Sequence, residues 1–473
     1  MGNRRRWLAL VAVALATFMT YLDNNVVNVA LPSIQRDLGL TISGLEWIAS
    51  AYILVFAGLL LVGGRIADVF GKRLAFYAGL AVFTLASLAA GLAGSQEMLI
   101  GARAVQGVGA ALLTPVALAL LPDLFPNPRE RGMAVGIWGG VGALALAVGP
   151  LVGGYLSQHV SWGWIFLVNV PVGVATTVLA AFTIPAGERG ARRRLDLPGL
   201  ATSSLALLAL TYALIEGGTR GWTSAAILAA FAVAAAAGAA FLAVESRAAD
   251  PMVDLSFFRV RAFSGGLVSM GLWAFGVFGI YFFTAIYLQN VLGFSPSGAG
   301  AGFVPMALVM AVVAALAPRA EARFGAGRTV AAGLGLMAVA IGAISTVGEG
   351  STYVDLLPWF LLYGLGAGLL IPLTNVILGV LPPARAGVAS GMLNVSREVF
   401  GLLGITILGA IVSARQHAAT GSALHRFLEG YQLALVIAAV LVALGVPVSL
   451  FALGRARPVE PVAEREEPVL EAV

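Results

Sequence analysis

Apolar residues gather into fourteen runs along the 473-residue chain, each bounded by charges, glycine or proline. Their limits are 7–31, 45–63, 74–93, 98–121, 132–156, 163–184, 198–216, 223–244, 262–289, 297–317, 329–347, 353–380, 388–413 and 431–454. Most hold the roughly 20 residues that a helix needs to cross a hydrocarbon core. The pattern predicts an all-α polytopic membrane protein with fourteen spans. With both termini cytoplasmic, 22 of the 28 Arg and Lys residues fall at cytoplasmic loops or ends, four outside (Arg36, Arg220, Arg415, Arg426) and two within spans (Arg103, Arg397). That is the bias expected of a membrane protein. A twelve-span count would discard two runs, and dropping only one inverts every later loop. Arg4, Arg5 and Arg6 before the first run imitate a secretory signal, but the run is too long and contains Asp23, so it is read as a retained span.

Composition narrows the chemistry. The chain is 59% hydrophobic and 11% charged, with a mean hydropathy of +0.94. A net charge of +5 would suggest nucleic acid in a soluble protein, but here the cations sit in short loops and set topology. With no cysteine, disulfides and thiol catalysis are excluded. The three histidines, His159, His417 and His425, have no metal-binding spacing. No enzyme site is visible, and no cofactor or nucleic-acid partner is expected.

The densest signal runs from Gly64 to Arg73, Gly-Arg-Ile-Ala-Asp-Val-Phe-Gly-Lys-Arg, read as a short basic hairpin loop between the second and third spans. A phosphate-loop reading fails, because it would need Gly at Ile66 and Ser or Thr at Arg73. The stretch resembles the signature loop of the major facilitator superfamily, G-x-L-A-D-R-x-G-R-K. Gly64, Ala67, Asp68, Gly71, Lys72 and Arg73 match, Ile66 is a mild swap, and Val69 replaces a basic residue. A second basic loop, Ala317 to Arg328, follows the tenth span as this one follows the second. If spans 9–14 repeat spans 1–6, the chain has the parallel-repeat architecture of facilitator transporters. The expected division is 1–184 as an N-terminal six-helix bundle, 185–261 as a linker with two inserted helices, 262–454 as a C-terminal six-helix bundle and 455–473 as a disordered cytoplasmic tail.

Several intramembrane residues are too polar to face lipid. In the first span Thr17, Thr20, Asp23 or Asn24, and Asn28 recur at helical spacing. The segment Leu22 to Pro32 resembles the L-D-x-T-I-V-N-V-A-L-P signature of the fourteen-helix drug:proton antiporter branch, with Asn25 replacing threonine. In the fourth span Leu99, Arg103, Gln106, Gly107, Gly109, Ala110 and Ala111 match that branch's L-x-x-x-R-x-x-Q-G-x-G-A-A. A lone buried arginine needs a partner, and Asp23 is the candidate if spans 1 and 4 adjoin. The alternative is that Asp23 serves only as that structural partner. The fifth span carries Gly149, Pro150, Gly153 and Gly154, small residues that permit close packing around a helix-bending proline. They resemble the antiporter segment G-x8-G-x3-G-P-x2-G-G, with Ala145 at its second glycine. The segment from Ser161 to Gly173 resembles the branch's W-R-W-I-F-L-I-N-V-P-I-G. In the thirteenth span Asn394, Arg397, Glu398 and Gly401 resemble N-x-x-R-[Q/E]-x-G-G, with Phe400 in place of one glycine. The aromatics Trp273, Phe275, Phe278, Tyr281, Phe282, Phe283 and Tyr287 of the ninth span suit either a drug cavity or packing and lipid contact.

The resemblance implies a proton-driven antiporter of the bacterial cytoplasmic membrane, exporting amphipathic drugs or antibiotics and acting as a monomer. A lipid or metabolite exporter would share every motif. Asp23 is expected to carry the proton, Arg103 to tune it, and Glu398 to recognise cations or take part in coupling. Gly64, Asp68, Gly71, Lys72 and Arg73 are expected to form a cytoplasmic gate, with Asp68 latching one conformation against the region of Val388. Asn24, Asn28, Gln106, Asn394 and Glu398 are expected to meet substrate. Glu398 has two possible arrangements: paired with Arg397 and neutralised, or left free for a cation because Arg397 points elsewhere.

Topology can be tested directly because the chain has no native thiol. Cysteines placed at Gly218 and Thr420 should react with impermeant maleimide in intact cells, and one at Ala191 only after lysis. Labelling at 420 with 218 protected would rule out fourteen spans.

Overall fold

The structure, a computed structural model, describes residues 3–184, 196–248, 251, 253–380 and 386–454. Within these residues the chain is helical, with no strand. The helices are α1 (Asn3–Leu38), α2 (Ile42–Phe70), α3 (Lys72–Gly91), α4 (Gln96–Leu124), α5 (Pro128–His159), α6 (Trp164–Leu167), α7 (Asn169–Thr183), α8 (Leu197–Arg220) and α9 (Ala225–Arg247). After a short 3-10 turn at Leu255–Arg259 come α10 (Arg261–Asn290), α11 (Pro296–Gly302), α12 (Val304–Phe324), α13 (Ala326–Ile344), α14 (Tyr353–Gly368), α15 (Ile371–Gly379), α16 (Ala386–Ala418) and α17 (Ala423–Leu453). Among the described residues thirteen helical stretches are long and apolar enough to cross a membrane. The 32-residue α5 is continuous helix over the remaining run. Three of the runs are interrupted, giving the pairs α6 and α7, α11 and α12, and α14 and α15.

The outer surface explains the hydropathy. Phe182, Val354 and Phe451 are each more than 70% exposed by protein alone, an arrangement stable only where lipid covers them. Threonines inside the helices, such as Thr176, Thr183 and Thr406, turn their hydroxyls onto carbonyls one turn back. That satisfies a polar group where no water is at hand.

Two groups of helices pack internally: α1 to α7 around the contacts of α2 and α3 with α4 and of α1 with α5, and α10 to α17 around those of α10 with α16 and α13 with α17. The pair α8 and α9 lean on each other, and α8 touches both α2 and α16. The groups meet along α2 with α16 and α5 with α11. The linker cations Arg189, Arg192, Arg193 and Arg194 and the tail from 455 lie outside the described residues, as do parts of the 245–261 joint.

The basic stretch from Gly64 to Arg73 is not the ten-residue loop expected. Helix α2 continues to Phe70 and α3 begins at Lys72, so Gly71 alone makes the turn. The intervening residues have no reason to leave the helix, since each turn of α2 satisfies its own amides, and the Gly71 N–H still bonds to the Ala67 carbonyl. Gly71 sits at φ +97°, a conformation that side chains disfavour. Gly325 makes the same one-residue turn between α12 and α13 at φ +83°. Lys72 ties the turn to α4, donating to the Asp123 carboxylate at 2.7 Å and the Ala119 carbonyl at 2.9 Å. Arg73 lies over the Tyr77 ring at 5.6 Å, and Gly64 faces Pro115. The side chains of Asp68 and Val388 lie outside those described, so the expected latch between them does too.

Contacts between the two groups gather at the end of the molecule where α1 finishes. There Gln289 donates to the Val29 carbonyl at 2.8 Å, and Gln158 accepts from the Ser297 amide at 3.1 Å. Backbones touch as well: a β-carbon added at Gly154 would stand 2.3 Å from the Pro296 carbonyl oxygen, and one at Gly300 only 2.1 Å from that of Pro150. At the other end of α5, Gly136, Gly139 and Gly140 face open space. Among the described residues, then, the two groups are closed against each other at the end where α1 finishes.

Gly154→Val should therefore force the closed end apart, because overpacking of this kind costs about 1–3 kcal/mol. A cysteine at Ser297 should then label faster from that side than in the unsubstituted background; equal rates would refute a tight α5–α11 seam.

Candidate functional site

Halfway along α1 the carboxylate of Asp23 is fully buried. It is surrounded by three donors from two other helices, α4 and α7. Arg103 of α4 donates through Nη1 to Oδ2. Gln106, one turn on, donates from Nε2 to Oδ1 at 2.8 Å, and Asn169 at the start of α7 donates to the same oxygen at 3.1 Å. Arg103 is 1% exposed. Its remaining donors reach the Gln106 Oε1 at 2.9 Å and the Ile48 carbonyl at 3.3 Å. Its guanidinium lies 4.3 Å from the centre of the Tyr52 ring and 5.6 Å from that of Phe166, geometry that adds cation–π stabilisation. Ser87 of α3 accepts from Gln106 at 2.7 Å. Every charge in the cluster has a partner, which a low-dielectric interior demands.

The polar stripe of α1 divides between two duties. Thr17 and Thr20 are buried with Asp23, and Thr17 accepts from Trp138 Nε1 of α5 at 2.7 Å. Asn24 and Asn28 turn the other way, onto a cavity of about 70 Å³ between the two helix groups. Tyr21, Trp273, Phe278, Tyr281 and Arg397 also line it. The aromatic run on α10 splits accordingly: Trp273, Phe278 and Tyr281 face the cavity, while Phe275, Phe282, Phe283 and Tyr287 are buried in packing.

Three residues expected at the substrate are placed elsewhere. Gln106 belongs to the Asp23 cluster. Asn394 caps back onto the Ser390 carbonyl of its own helix at 2.9 Å. Glu398 is fully buried, and Arg397 reaches the cavity in its stead. Consecutive residues on a helix point about 100° apart, so only one of the two can face a given space. Arg397 donates to Glu398 Oε1 from Nε at 3.0 Å and from Nη2 at 2.7 Å. Its Nη1 reaches across to the Tyr21 hydroxyl of α1 at 3.4 Å, with the guanidinium over that ring at 5.3 Å. Of the two arrangements open from the sequence, the structure adopts the neutralised one, with Glu398 Oε2 left without a partner.

On α5, Gly149 and Gly153 press against Asn25 and Val26 of α1, where added β-carbons would come within 2.8 Å and 2.5 Å. Pro150 and Gly154 form the seam with α11. The motif thus holds α1 with one face and the opposite helix group with the other. A larger apolar cavity of about 430 Å³, lined by residues including Ala57, Ala206, Phe241, Phe258, Val268 and Phe400, opens among α2, α8, α9, α10 and α16. The aromatic and small residues of these separate runs carry no joint sequence signal. Ser87 and Tyr52 carry no sequence signal of their own, and Asn169, the lone amide of the apolar stretch Val168 to Pro171, stands in the matched Ser161 to Gly173 segment without its role at Asp23 being marked.

Two groups of membrane helices closed at one end around a polar cluster and a small cavity are the build of a membrane transporter, not of an enzyme. Residues 13–405 match the Major Facilitator Superfamily, and the chain belongs to that family. It is 38% identical over 414 residues to the tetracenomycin C resistance and export protein of Streptomyces glaucescens, covering 87% of this chain and 77% of that one. It is 34% identical over 432 residues to the methylenomycin A resistance protein of Bacillus subtilis, covering 90% and 92%. Among solved structures, a POT family peptide transporter superposes with a TM-score of 0.71 at 15% identity, covering 97% of this chain and 98% of that one. A bacterial homologue of the human lysosomal transporter Spinster, inward-facing and occupied, gives 0.70 at 18% identity, covering 98% and 100%.

Removing one member of the buried ion pair leaves the other charge stranded, at a cost of about 3–5 kcal/mol. Arg103→Met should lower the thermal unfolding midpoint in detergent sharply, and the double substitution with Asp23→Asn should recover most of the loss. Absence of such recovery would show that the two charges are not coupled.

Proposed function

We propose that this transporter expels an amphipathic drug or antibiotic across the bacterial cytoplasmic membrane in exchange for protons. The observation that carries the reading is the placement of Asp23: an acid sealed into hydrocarbon, on the same helix that supplies Asn24 and Asn28 to the cavity and the Val29 carbonyl to the closed seam. The relatives, a tetracenomycin C resistance and export protein and a methylenomycin A resistance protein, support a drug as cargo.

Protonation of Asp23 removes the negative charge that Arg103, Gln106 and Asn169 hold. Arg103 keeps the Ile48 carbonyl, Gln106 and the Tyr52 ring, so it remains solvated by protein while α1 is released. Because α1 carries the cavity asparagines and one side of the seam, a proton at Asp23 is linked to both substrate affinity and closure. With the orientation set by the basic loops, the closed end faces outward. Proton entry from outside then alternates with drug entry from inside. Gly64, Asp68, Gly71, Lys72 and Arg73 form the gate at the cytoplasmic end. Glu398, neutralised by Arg397, is a second acid available for coupling, and the arginine at the cavity wall suits neutral or anionic groups on the cargo better than a simple cation.

A second reading, export of a lipid or an apolar endogenous metabolite, is favoured by the large apolar cavity among α2, α8, α9, α10 and α16. Reconstituted transport with lipid and antibiotic panels separates the two.

Asp23→Asn should abolish substrate-induced proton release from the purified protein, and active transport in vesicles, while passive exchange survives. Proton release of wild-type size from the folded variant would move the role to Glu398.

A further inference from the structure

Near the closed end of α2, Glu46 is 1% exposed, deep in the seam with α16. Its carboxylate lies flat against Gly409: a β-carbon at that glycine would stand 2.2 Å from Oε1 and 2.5 Å from Oε2. Oε2 has no hydrogen-bond partner, and neither has the hydroxyl of Ser50, one turn along on the same face of α2. Two orphaned polar groups therefore line the surface that must separate when this end opens.

The charges around Glu46 do not neutralise it. From α8, Glu216 approaches, accepting from Trp47 Nε1 at 3.0 Å and from Arg220 Nε at 3.1 Å. From α4, Arg103 is turned to Asp23 and the Ile48 carbonyl, and Glu97 is exposed at the helix start. On α1, Asp37 accepts from Trp162. From α16, Gly409 offers only backbone, and Arg415 farther along pairs with Glu429 of α17 at 3.1 Å. Among the described residues no cation pairs with it, so an ionised carboxylate in this position would be buried beside another acid, whereas the neutral acid fits the same space at a much lower cost.

We propose that Glu46 is a second proton-binding site, loaded when the seam closes and emptied when it opens, so that pH on the outer side governs closure. Opening exposes Glu46 and Ser50 to water, where the acid ionises; an ionised Glu46 then opposes re-closure until it takes up a proton from that side. This site is distinct from Asp23, whose charge is fully partnered in the closed form. The proton here need not cross the membrane, so the site acts as a latch that can operate whatever the cargo.

Spin labels on Arg36→Cys and Thr420→Cys, exposed positions on opposite sides of the seam, read the closed and open populations in nanodiscs without substrate. Between about pH 5 and about pH 9 the closed-to-open ratio should fall with pH by up to about tenfold per unit, the slope of one linked proton. In the Asp23→Asn background, which removes the linkage assigned to Asp23, Glu46→Gln should hold the seam closed across that range. Gly409→Ala, whose methyl group occupies the place of the carboxylate, should hold it open and provides the test should Glu46→Gln not fold. The pH response should persist in Asp23→Asn. A wild-type seam indifferent to pH, a full response in the double variant Asp23→Asn with Glu46→Gln, a closed seam in Gly409→Ala, or loss of the response in Asp23→Asn would each overturn the proposal.

Discussion

The structure depends on neutralising one negative charge in hydrocarbon. The charge of Asp23 on α1 is balanced by Arg103 on α4, so the two helices are fixed in register by electrostatics rather than by apolar area. In a bilayer, where lipid tails are as apolar as leucine, such polar contacts and close backbone approach are what distinguish one helix arrangement from another. Gln106 and Asn169 extend the requirement to α7, and Tyr52 to α2. Four helices of the first group therefore converge on a single carboxylate.

Close backbone approach supplies the other constraint. Gly149 and Gly153 hold α5 to α1, while Gly154 and Pro150 hold it to α11. The first contact lies within one helix group and the second between the two. When the groups part, the first face must persist and the second must break, so one short run of small residues separates the permanent contacts from the reversible ones.

Much of this arrangement is legible in the sequence, and the parts that are not share a physical reason. Membrane spans follow from hydropathy, and the pairing of Asp23 with Arg103 follows from the rule that a lone intramembrane charge needs a partner. Breaks such as those at Val168 and Phe303 leave no mark in hydropathy, because the backbone turns without exposing anything to water. The helical course of Gly64 to Phe70 was hidden by its charges, which read as loop although they lie on a helix end. Arg397 and Glu398 are neighbours in sequence, and which of them faces the cavity is decided by packing against α1 and Tyr21. Glu46 sits at the edge of an apolar run, where an acid is unremarkable; only Gly409, more than 300 residues later, encloses it.

The turn at Gly71 has a mechanical consequence. One residue spans at most about 3.6 Å, so α2 and α3 cannot slide along each other, and Lys72 adds a clamp from α3 to the end of α4. Helix α2 is 29 residues long, roughly 43 Å at 1.5 Å per residue. It is thus a stiff rod with Glu46 near one tip and the glycine pivot at the other, bearing on Arg103 in the Glu46 half through Ile48 and Tyr52. A small displacement at the Glu46 tip is carried as rotation to the far tip, which gives the molecule a lever whose fulcrum is the buried ion pair.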